Sequence, residues 1–367
     1  MAEVVYGFLT KEAEPMRAAV LEAPGRLVVQ DTDEPSPSDE AVLVAVELAG
    51  VCGSDILVYS GTRPVKYPLI LGHEAIGRVT HPGRSGLAEG TRVVIEPNIP
   101  CGVCSVCQRG RGNVCPKKRS LGLNTPGAMA DHVSVPVGFA HPVPSEIEPM
   151  DAVGLEPLAV AVHAFRLGEA AEGDAVAIIG CGTEGLLLTQ VATAMGARVL
   201  AADMRADRLA AAERFGAART LEVPPDETAE ELGAQIASDW SPTVVFECAG
   251  AAPAVELALQ AVAIGGRVVV IGLTAKPVPV VPLRFVRRGL TLTASLIYDH
   301  PGDFERTIEL VRLGRARPSA LVTHVRGLDD AAEAMQLVAS GRTGKALVDV
   351  AGVLASQQPG AGAAART

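Results

Sequence analysis

Six short apolar runs alternate with helix-forming segments between residues 158 and 298, and this alternation constrains the fold more than any other feature of the chain. The runs are rich in β-branched residues and apolar on both faces, which is typical of strands buried in a parallel sheet. Helical patterns follow Gly182 and span 206–215 and 253–263. The alternation predicts an α/β fold with a doubly wound dinucleotide-binding sheet. The six runs lie at residues 175–180, 198–203, 219–223, 243–248, 267–272 and 290–295.

The segments on either side of this region have a different character. Residues 16–150 are rich in Val, Pro and Gly, with short apolar runs between turn signals, and they predict an irregular, mostly β domain. After Ser295 the pattern predicts a helix, a strand, a second helix and a final strand. Because six strands already complete the nucleotide sheet, we expect this last segment to return to the first domain. We expect loosely ordered ends in the first 15 residues and the last dozen. The predicted domains are residues 1–157, 158–298 and 299–367.

A glycine-rich loop joins the first of the six runs to the following helix. Gly182 would let the backbone approach a pyrophosphate, and the helix N-terminus would supply amide donors. Asp203 ends the next run, 21 residues after Gly182, where a carboxylate can accept hydrogen bonds from ribose hydroxyls. That carboxylate favours NAD over NADP, although the basic residues Arg205 and Arg208 leave NADP as an alternative. The structural alternative for the whole loop is a tight turn that binds no ligand. The loop residues predicted to contact the cofactor are Gly180, Gly182, Thr183, Glu184 and Gly185.

Glu184 is the unusual residue of this loop. Its negative charge lies in the first helical turn, where it interacts favourably with the helix dipole. The same charge would be unfavourable beside a pyrophosphate unless the side chain points away.

Four of the seven cysteines lie within fifteen residues, in a C-x2-C-x2-C-x7-C pattern. Four thiolates can close a tetrahedral shell around Zn²⁺ and leave no position for substrate, which predicts a structural zinc lobe over residues 101–115. An iron–sulfur cluster or a nucleic-acid zinc module are alternatives, but the net charge of −10 weighs against nucleic acid as a partner. The four ligands would be Cys101, Cys104, Cys107 and Cys115.

Three further segments carry candidate ligands for a catalytic metal. Cys52, His73, Glu74 and Glu156 could supply a thiolate, an imidazole and carboxylates, and a catalytic zinc needs few protein ligands and one exchangeable position. Taken singly, each residue also has an ordinary structural explanation, such as a buried thiol or a core histidine.

No run of 18 apolar residues is present, so we expect no membrane span. The odd number of cysteines and the lack of a recognisable export signal argue against a disulfide framework. We therefore expect a cytoplasmic protein.

Taken together, these motifs resemble the zinc-dependent medium-chain dehydrogenase family, nearest to its sorbitol (polyol) dehydrogenase and threonine dehydrogenase branches. The resemblance spans nearly the whole chain from Met16 and implies a GroES-like β-barrel catalytic domain beside a Rossmann domain. Its carriers are GVCGSD at 50–55, GHEAIGRV at 72–79, CGVCSVCQRGRGNVC at 101–115, LEPLAVAVHA at 155–164, the GCGTEG loop and VFECAGA at 245–251.

The resemblance implies roles for individual residues. Cys52, His73 and Glu74 would bind the catalytic zinc, and Glu156 would bind it or hold its water. Ser54 would accept the alcohol proton, and Asp55 would orient the imidazole of His73. Asp203 and Arg208 would contact the adenosine ribose. Backbone contacts near the nicotinamide would come from Ile271, Gly272, Leu273, Ser295, Leu296 and Ile297.

The chain departs from the family pattern in three places. Leu57 stands where the family commonly has a histidine that passes the alcohol proton to solvent. Glu184 stands where an aliphatic residue is usual, and the first 15 residues precede the family's usual start.

These features predict a zinc-dependent oxidoreductase that transfers hydride from a polar secondary alcohol to NAD and gives a ketone. A polyol, sugar alcohol or amino alcohol is the expected substrate, and a simpler hydrophobic alcohol is the enzymatic alternative. A zinc-stapled NAD-binding scaffold or sensor with little turnover is the non-enzymatic alternative. We expect one catalytic and one structural zinc per chain, no nucleic-acid or membrane partner, and a homodimer or homotetramer built on the edge strand of the Rossmann sheet.

Overall fold

The computed structural model describes residues 15–341 and 344–354. The expectation of loosely ordered ends concerns residues that lie largely outside this described part. Among the described residues, no helix combines the length and the apolar character needed to cross a membrane.

The first part of the chain is mostly β-structure. It forms three small pieces of helix and ten strands, with a 3₁₀ turn at Gly112–Val114 in the cysteine-rich lobe. In chain order the elements are β1 (Pro15–Ala23), β2 (Arg26–Asp33), β3 (Ala41–Val51), α1 (Gly53–Tyr59), β4 (Leu69–Ile70), β5 (Glu74–His81), β6 (Arg92–Ile95), β7 (Asn98–Ile99), α2 (Ser105–Gln108), β8 (Arg119–Ser120), β9 (His132–Pro136), β10 (Ala140–Pro142) and α3 (Pro149–Ala152).

The middle of the chain forms a six-stranded parallel sheet with helices on both faces. Its strand order is β13-β12-β11-β14-β15-β16, which is the doubly wound order of dinucleotide-binding domains. The elements are α4 (Leu155–Gly168), β11 (Ala175–Ile179), α5 (Thr183–Ala194), β12 (Arg198–Asp203), α6 (Ala206–Arg214), β13 (Arg219–Glu222), α7 (Ala229–Asp239), β14 (Val244–Glu247), α8 (Ala252–Ala261), β15 (Arg267–Val270), α9 (Pro282–Arg287) and β16 (Thr291–Ala294).

Every one of the six apolar runs contains a strand of this sheet, and the three predicted helices are present as α5, α6 and α8. Three more helices, α4, α7 and α9, were not predicted. The start of α7 does carry a sequence signal, because Thr228 caps the helix and Glu231 completes a capping box.

The last segment forms α10 (Gly302–Arg312), β17 (Val322–Gly327), α11 (Ala331–Ala339) and β18 (Lys345–Asp349), with 3₁₀ turns at Pro318–Leu321 and Leu328–Asp330. Strand β18 pairs with β3 and β17 pairs with β18, so both join the sheet β10-β6-β5-β3-β18-β17, to which β9 is added beside β3. Helix α10 instead packs against α4. We propose from this pairing that residues from β17 onward belong with the first domain.

The glycine-rich loop makes its turn in a way that only glycine allows. Gly180 has a φ of 93°, in the left-handed region. A Cβ on Gly185 would lie 1.9 Å from the carbonyl oxygen of Gly180. The loop can therefore fold back closely on β11, and it presents the N-terminus of α5 at the carboxyl edge of the sheet.

Candidate active site

The strand register brings the candidate ligands to one end of the first sheet. Strands β3 and β5 are antiparallel, with Gly50 opposite Glu74. Cys52 follows the end of β3, and His73 precedes the start of β5. Because β3 ends where β5 begins, residues that are 21 positions apart in the sequence become neighbours.

Cys52, His73 and Glu74 place their ligand atoms within 4.8 Å of one another. The thiol is partly buried, and the imidazole and carboxylate are buried. Thiolate, imidazole and carboxylate are the ligands that zinc takes in proteins, and three of them leave a position for substrate. The donor set therefore fits a catalytic zinc ion.

Asp55 holds two of these residues in place. One carboxylate oxygen lies 3.0 Å from Nδ1 of His73, and the other accepts a hydrogen bond of 2.9 Å from the backbone N–H of Cys52. With Nδ1 bonded to Asp55, the Nε2 atom is directed to the site, as metal-bound histidines require. Ser54 lies beside it, with Oγ 3.2 Å from Nε2 of His73 and 3.3 Å from Sγ of Cys52.

The charge state of His73 follows from these neighbours. Burial by itself would lower the pKa of the imidazole, but Asp55 and Cys52 outweigh burial and raise the pKa well above its usual value. A metal ion binds only the neutral imidazole, so zinc binding at this site would release a proton.

Glu156 lies in the first turn of α4 and is buried near the three ligands. Its oxygens are not part of the group of ligand atoms within 4.8 Å. Burial raises the pKa of its carboxyl to about 7, an effect that Glu74 reinforces and His73 opposes. Its side chain is hydrogen-bonded to Tyr298, a residue that no sequence motif marked as part of the site.

Lys345 is a second residue that the sequence reasoning missed. It begins β18, whose next residue pairs with Val51, so its side chain reaches the ligand end of β3. Its Nζ is buried and contacts both carboxylate oxygens of Glu74. Lys345 thus holds Glu74, and its position as a cation directly before the apolar residues Ala346, Leu347 and Val348 was the available signal.

The four clustered cysteines converge in the lobe formed by α2 and its flanking turns. Sγ of Cys104 lies 3.5 Å from Sγ of Cys107 and 3.8 Å from Sγ of Cys115, and Sγ of Cys101 lies 3.9 Å from that of Cys107. Hydrogen bonds from the backbone N–H groups of Val103 and Cys104 lower the pKa of the Cys101 thiol to about 6. Sulfur atoms at these separations fit the closed four-thiolate shell of a structural zinc.

A cleft of about 730 Å³ connects the glycine-rich loop with the ligand group. It is lined by Cys52, Gly182, Thr183, Glu184, Arg208 and Lys345, among others. At the far end of the loop, Asp203 accepts hydrogen bonds from the backbone N–H of Cys181 (2.7 Å) and of Arg205 (2.9 Å). Arg208 lies 3.6 Å from the same carboxylate.

The guanidinium of Arg205 is hydrogen-bonded to other residues of the chain. Its guanidinium donates two hydrogen bonds to Asp207, of 3.0 and 2.7 Å, and a third to the carbonyl of Gly341. The last contact connects α6 to the segment before β18 at the rim of the cleft.

Glu184 does not point away from the cleft. Its carboxyl lines the cavity, and its Oε2 atom is buried with no hydrogen-bond partner in residues 15–341 and 344–354. Burial raises the pKa of Glu184 to about 8, and the carboxylates of Glu156 and Glu74 add to the shift against the opposing effect of Lys345. A group with this pKa holds its proton at neutral pH, which lessens its repulsion of a phosphate.

The two segments predicted to contact the nicotinamide follow β15 and β16, at the same carboxyl edge of the sheet as the glycine-rich loop. Ser295 is buried, and no described residue forms a hydrogen bond with its Oγ atom, whereas Leu273 is 77% exposed. Ile297 adopts a φ of 48°, an uncommon conformation for a β-branched residue. Their contacts with a cofactor remain a prediction, as do those of Ile271, Gly272 and Leu296.

Two family models match the chain. Residues 38–145 match the alcohol dehydrogenase GroES-like domain, and residues 185–312 match the zinc-binding dehydrogenase domain. The chain is 30% identical to the sorbitol dehydrogenase of Halalkalibacterium halodurans, over 88% of this chain and 96% of that protein. It is 31% identical to D-xylulose reductase A of Aspergillus oryzae, over 90% of this chain and 95% of that protein.

A solved structure from Sinorhizobium meliloti 1021, described as a zinc-binding dehydrogenase and bound to NADP, is similar throughout. Its TM-score is 0.86 and its sequence identity 31%, with 92% of this chain and all of that chain covered. The likeness therefore extends over both sheets and over the cleft between the glycine-rich loop and the ligand group.

Proposed function

The chain belongs to the zinc-dependent medium-chain alcohol dehydrogenase family, and from that membership we propose that it oxidises a polar secondary alcohol to a ketone with NAD as the hydride acceptor. The observation that carries this proposal is the group formed by Cys52, His73, Glu74 and Ser54, of which Cys52 lines the same cleft as the glycine-rich loop. A scaffold that only bound a dinucleotide would have no need of these four residues together.

Each residue of the group has a separate task in this mechanism. Cys52, His73 and Glu74 would hold a zinc ion, and Asp55 fixes the imidazole so that Nε2 faces the site. When bound, zinc supplies Lewis-acid polarisation of the alcohol oxygen, and the nicotinamide supplies the hydride acceptor. The Cys101–Cys115 lobe would hold a second, structural zinc.

Ser54 takes the alcohol proton in this proposal. Its hydroxyl lies between Sγ of Cys52 and Nε2 of His73, where an alcohol oxygen entering the open coordination position would be within reach. Leu57 has no group that could pass the proton on. The proton therefore leaves through Ser54, through Glu156 or through the cofactor ribose. Glu156, with a pKa of about 7, can take up or release a proton near neutral pH.

A polyol or other polar secondary alcohol is the proposed substrate class. The curated relatives include a sorbitol dehydrogenase and a D-xylulose reductase, whose names describe polyol and ketose substrates. The carboxyl of Glu184, which lines the cleft and whose Oε2 atom has no partner among the described residues, would hydrogen-bond to an additional hydroxyl group. A simple hydrophobic alcohol would leave the Glu184 carboxyl unpaired, which favours the polar class.

NAD is the proposed cofactor, in preference to NADP. Asp203 would repel a 2′-phosphate, and Arg205 is held by Asp207 and Gly341 and is not free to bind one. Arg208 is the remaining basic group at this end of the cleft. The similar structure from Sinorhizobium meliloti holds NADP, so both cofactors belong in the test.

The proposal is tested with the zinc-loaded full-length chain against polyols, amino alcohols and simple alcohols, measuring reduced nicotinamide by absorbance with NAD and with NADP. We expect turnover with a polyol or amino alcohol and NAD. Ser54→Ala should lower kcat by about 10²–10⁴-fold, the usual size of a general acid–base contribution, without loss of zinc. Ser60→Ala, at the other end of the same helix, is the matched control.

Two outcomes would contradict the proposal. Turnover that survives unchanged in Ser54→Ala would remove the serine from the mechanism. No turnover with any alcohol, combined with only about one zinc per chain, would favour the scaffold alternative.

A further inference from the structure

A buried carboxylate and two imidazoles meet outside the catalytic group. Glu96 follows β6, His141 lies in β10, and His300 lies in the loop between β16 and α10. A single oxygen of Glu96, Oε2, lies 2.7 Å from Nε2 of His141 and 2.7 Å from Nδ1 of His300. Three segments that are distant in the sequence thus present three potential ligands to one point.

The charge of Glu96 has no cationic partner in the described part of the chain. Its side chain is 1% exposed, and none of the described lysines or arginines lies within ion-pair distance of it. The second carboxylate oxygen, Oε1, is buried and has no hydrogen-bond partner among the residues that the structure describes. A buried carboxylate that faces only neutral groups is costly, so this position requires either a protonated imidazole or a bound cation.

The two imidazoles are held in fixed orientations by aromatic neighbours. The ring of His300 stacks on Phe139 with centroids 4.4 Å apart and planes at 7°, and the ring of His141 stacks on Phe304 at 4.7 Å and 11°. Restrained ligands lose less conformational entropy when they bind a metal. The nitrogen and oxygen ligand atoms of the cluster all lie within 4.8 Å of one another.

We propose that Glu96, His141 and His300 form a third zinc site, separate from the Cys52 group and the four-cysteine lobe. Two imidazoles and a carboxylate are a zinc ligand set, whereas Mg²⁺ and Ca²⁺ prefer oxygen ligands alone. The side chain of His300 is 33% exposed, which gives an ion access from solvent and leaves room for a water ligand. A zinc ion would replace the two hydrogen bonds and supply the charge that the Glu96 carboxylate needs.

The position of the site gives the ion a structural role. Strands β6 and β10 belong to the sheet that carries Cys52 and Glu74, and the loop with His300 leaves the last strand of the nucleotide sheet. A zinc ion would therefore connect the two sheets.

The test compares the zinc content of the desalted full-length protein with that of His300→Gln. A glutamine amide can still donate a hydrogen bond to Glu96 but is not a zinc ligand, so this variant separates metal binding from hydrogen bonding. We expect about three zinc ions per chain in the wild type and about two in His300→Gln. Cadmium-113 NMR of the cadmium-loaded protein should show a resonance from a nitrogen and oxygen shell that is missing in the variant.

His324→Gln, which replaces a histidine of β17 outside all three clusters, is the matched control and should keep the wild-type zinc content. Equal zinc content in the wild type and His300→Gln, with no change in the cadmium spectrum, would overturn the proposal. The cluster would then be a hydrogen-bonded network with a protonated imidazole.

Discussion

At the scale of single residues, Glu184 is the side chain that most distinguishes the cofactor loop. The carboxyl lies in the first turn of α5 and lines the cleft that also contains Cys52 and Lys345. The sequence indicated a conflict between this charge and a pyrophosphate, and the structure resolves it through burial, which raises the pKa of the group to about 8. Near neutral pH the group is mostly protonated, so the conflict arises only in alkaline solution.

We predict that Glu184→Gln makes cofactor binding insensitive to pH in the alkaline range. As the pH rises through about 8, the wild-type carboxyl ionises and its charge opposes the pyrophosphate, so the dissociation constant for NAD should rise roughly tenfold. The variant has no charge to gain. Calorimetric titration with NAD between pH 6 and 9.5 measures the dissociation constants of the wild type and of Glu184→Gln. Glu172→Gln, on the protein surface, is the control.

The same shift has a consequence for stability. Because the folded-state pKa of Glu184 lies above its ordinary value of 4.5, the folded state binds the proton more tightly than the unfolded state. The wild type should therefore lose stability relative to Glu184→Gln as the pH rises from 4.5 through 8. Parallel pH profiles for the two proteins would contradict the assignment.

At the scale of elements, the junction of β11, the glycine-rich loop and α5 determines whether the nucleotide can approach the sheet. Gly185 is in contact with the loop backbone, and any side chain there would collide with the carbonyl of Gly180. The N-terminus of α5 keeps its position beside the loop only if residue 185 has no side chain.

We predict that Gly185→Ala destabilises the protein by about 1–3 kcal/mol, the usual cost of overpacking, and weakens NAD binding. Denaturant unfolding and cofactor titration measure the two effects. Gly327→Ala is the control, because a Cβ there would meet no atom within 4 Å. Unchanged stability and affinity in Gly185→Ala would show that the loop can shift without cost.

At the scale of the whole molecule, β16 forms one edge of the nucleotide sheet. It pairs with β15, and no other described strand covers its second side. Exposed apolar side chains occur on this strand, at Leu292 (44% exposed), and on the preceding helix α9, at Leu283 (63%) and Val286 (75%). An open edge with an apolar patch is a surface that proteins normally cover.

We predict that the chain forms a homodimer or homotetramer through this edge and that Leu292→Glu shifts it toward the monomer. A charge in the middle of the interface would remain unpaired and desolvated in the assembly. Sedimentation velocity at several protein concentrations measures the change. Leu313→Glu, at an exposed leucine after α10, is the control, and a monomeric wild type would contradict the prediction.

The sequence alone determined the fold class and indicated the candidate residues of the site. The six runs of the nucleotide sheet were recognisable because parallel strands are buried on both faces and must be continuously apolar. The glycine-rich loop and the four cysteines were recognisable because their chemistry depends on local spacing, and local spacing can be read directly from the sequence. The comparisons confirm the family and the fold that these motifs indicated.

Only the tertiary structure decided which distant residues share a site. Lys345 meets Glu74 because β18 pairs with β3, and Glu96 meets His141 and His300 because three separate segments end at one point. No local pattern marks such partners, since their proximity depends on strand pairing across more than a hundred residues. Charge neutralisation of buried groups is thus a property of the assembled fold, whereas the motifs predicted to bind metal and cofactor are properties of the sequence.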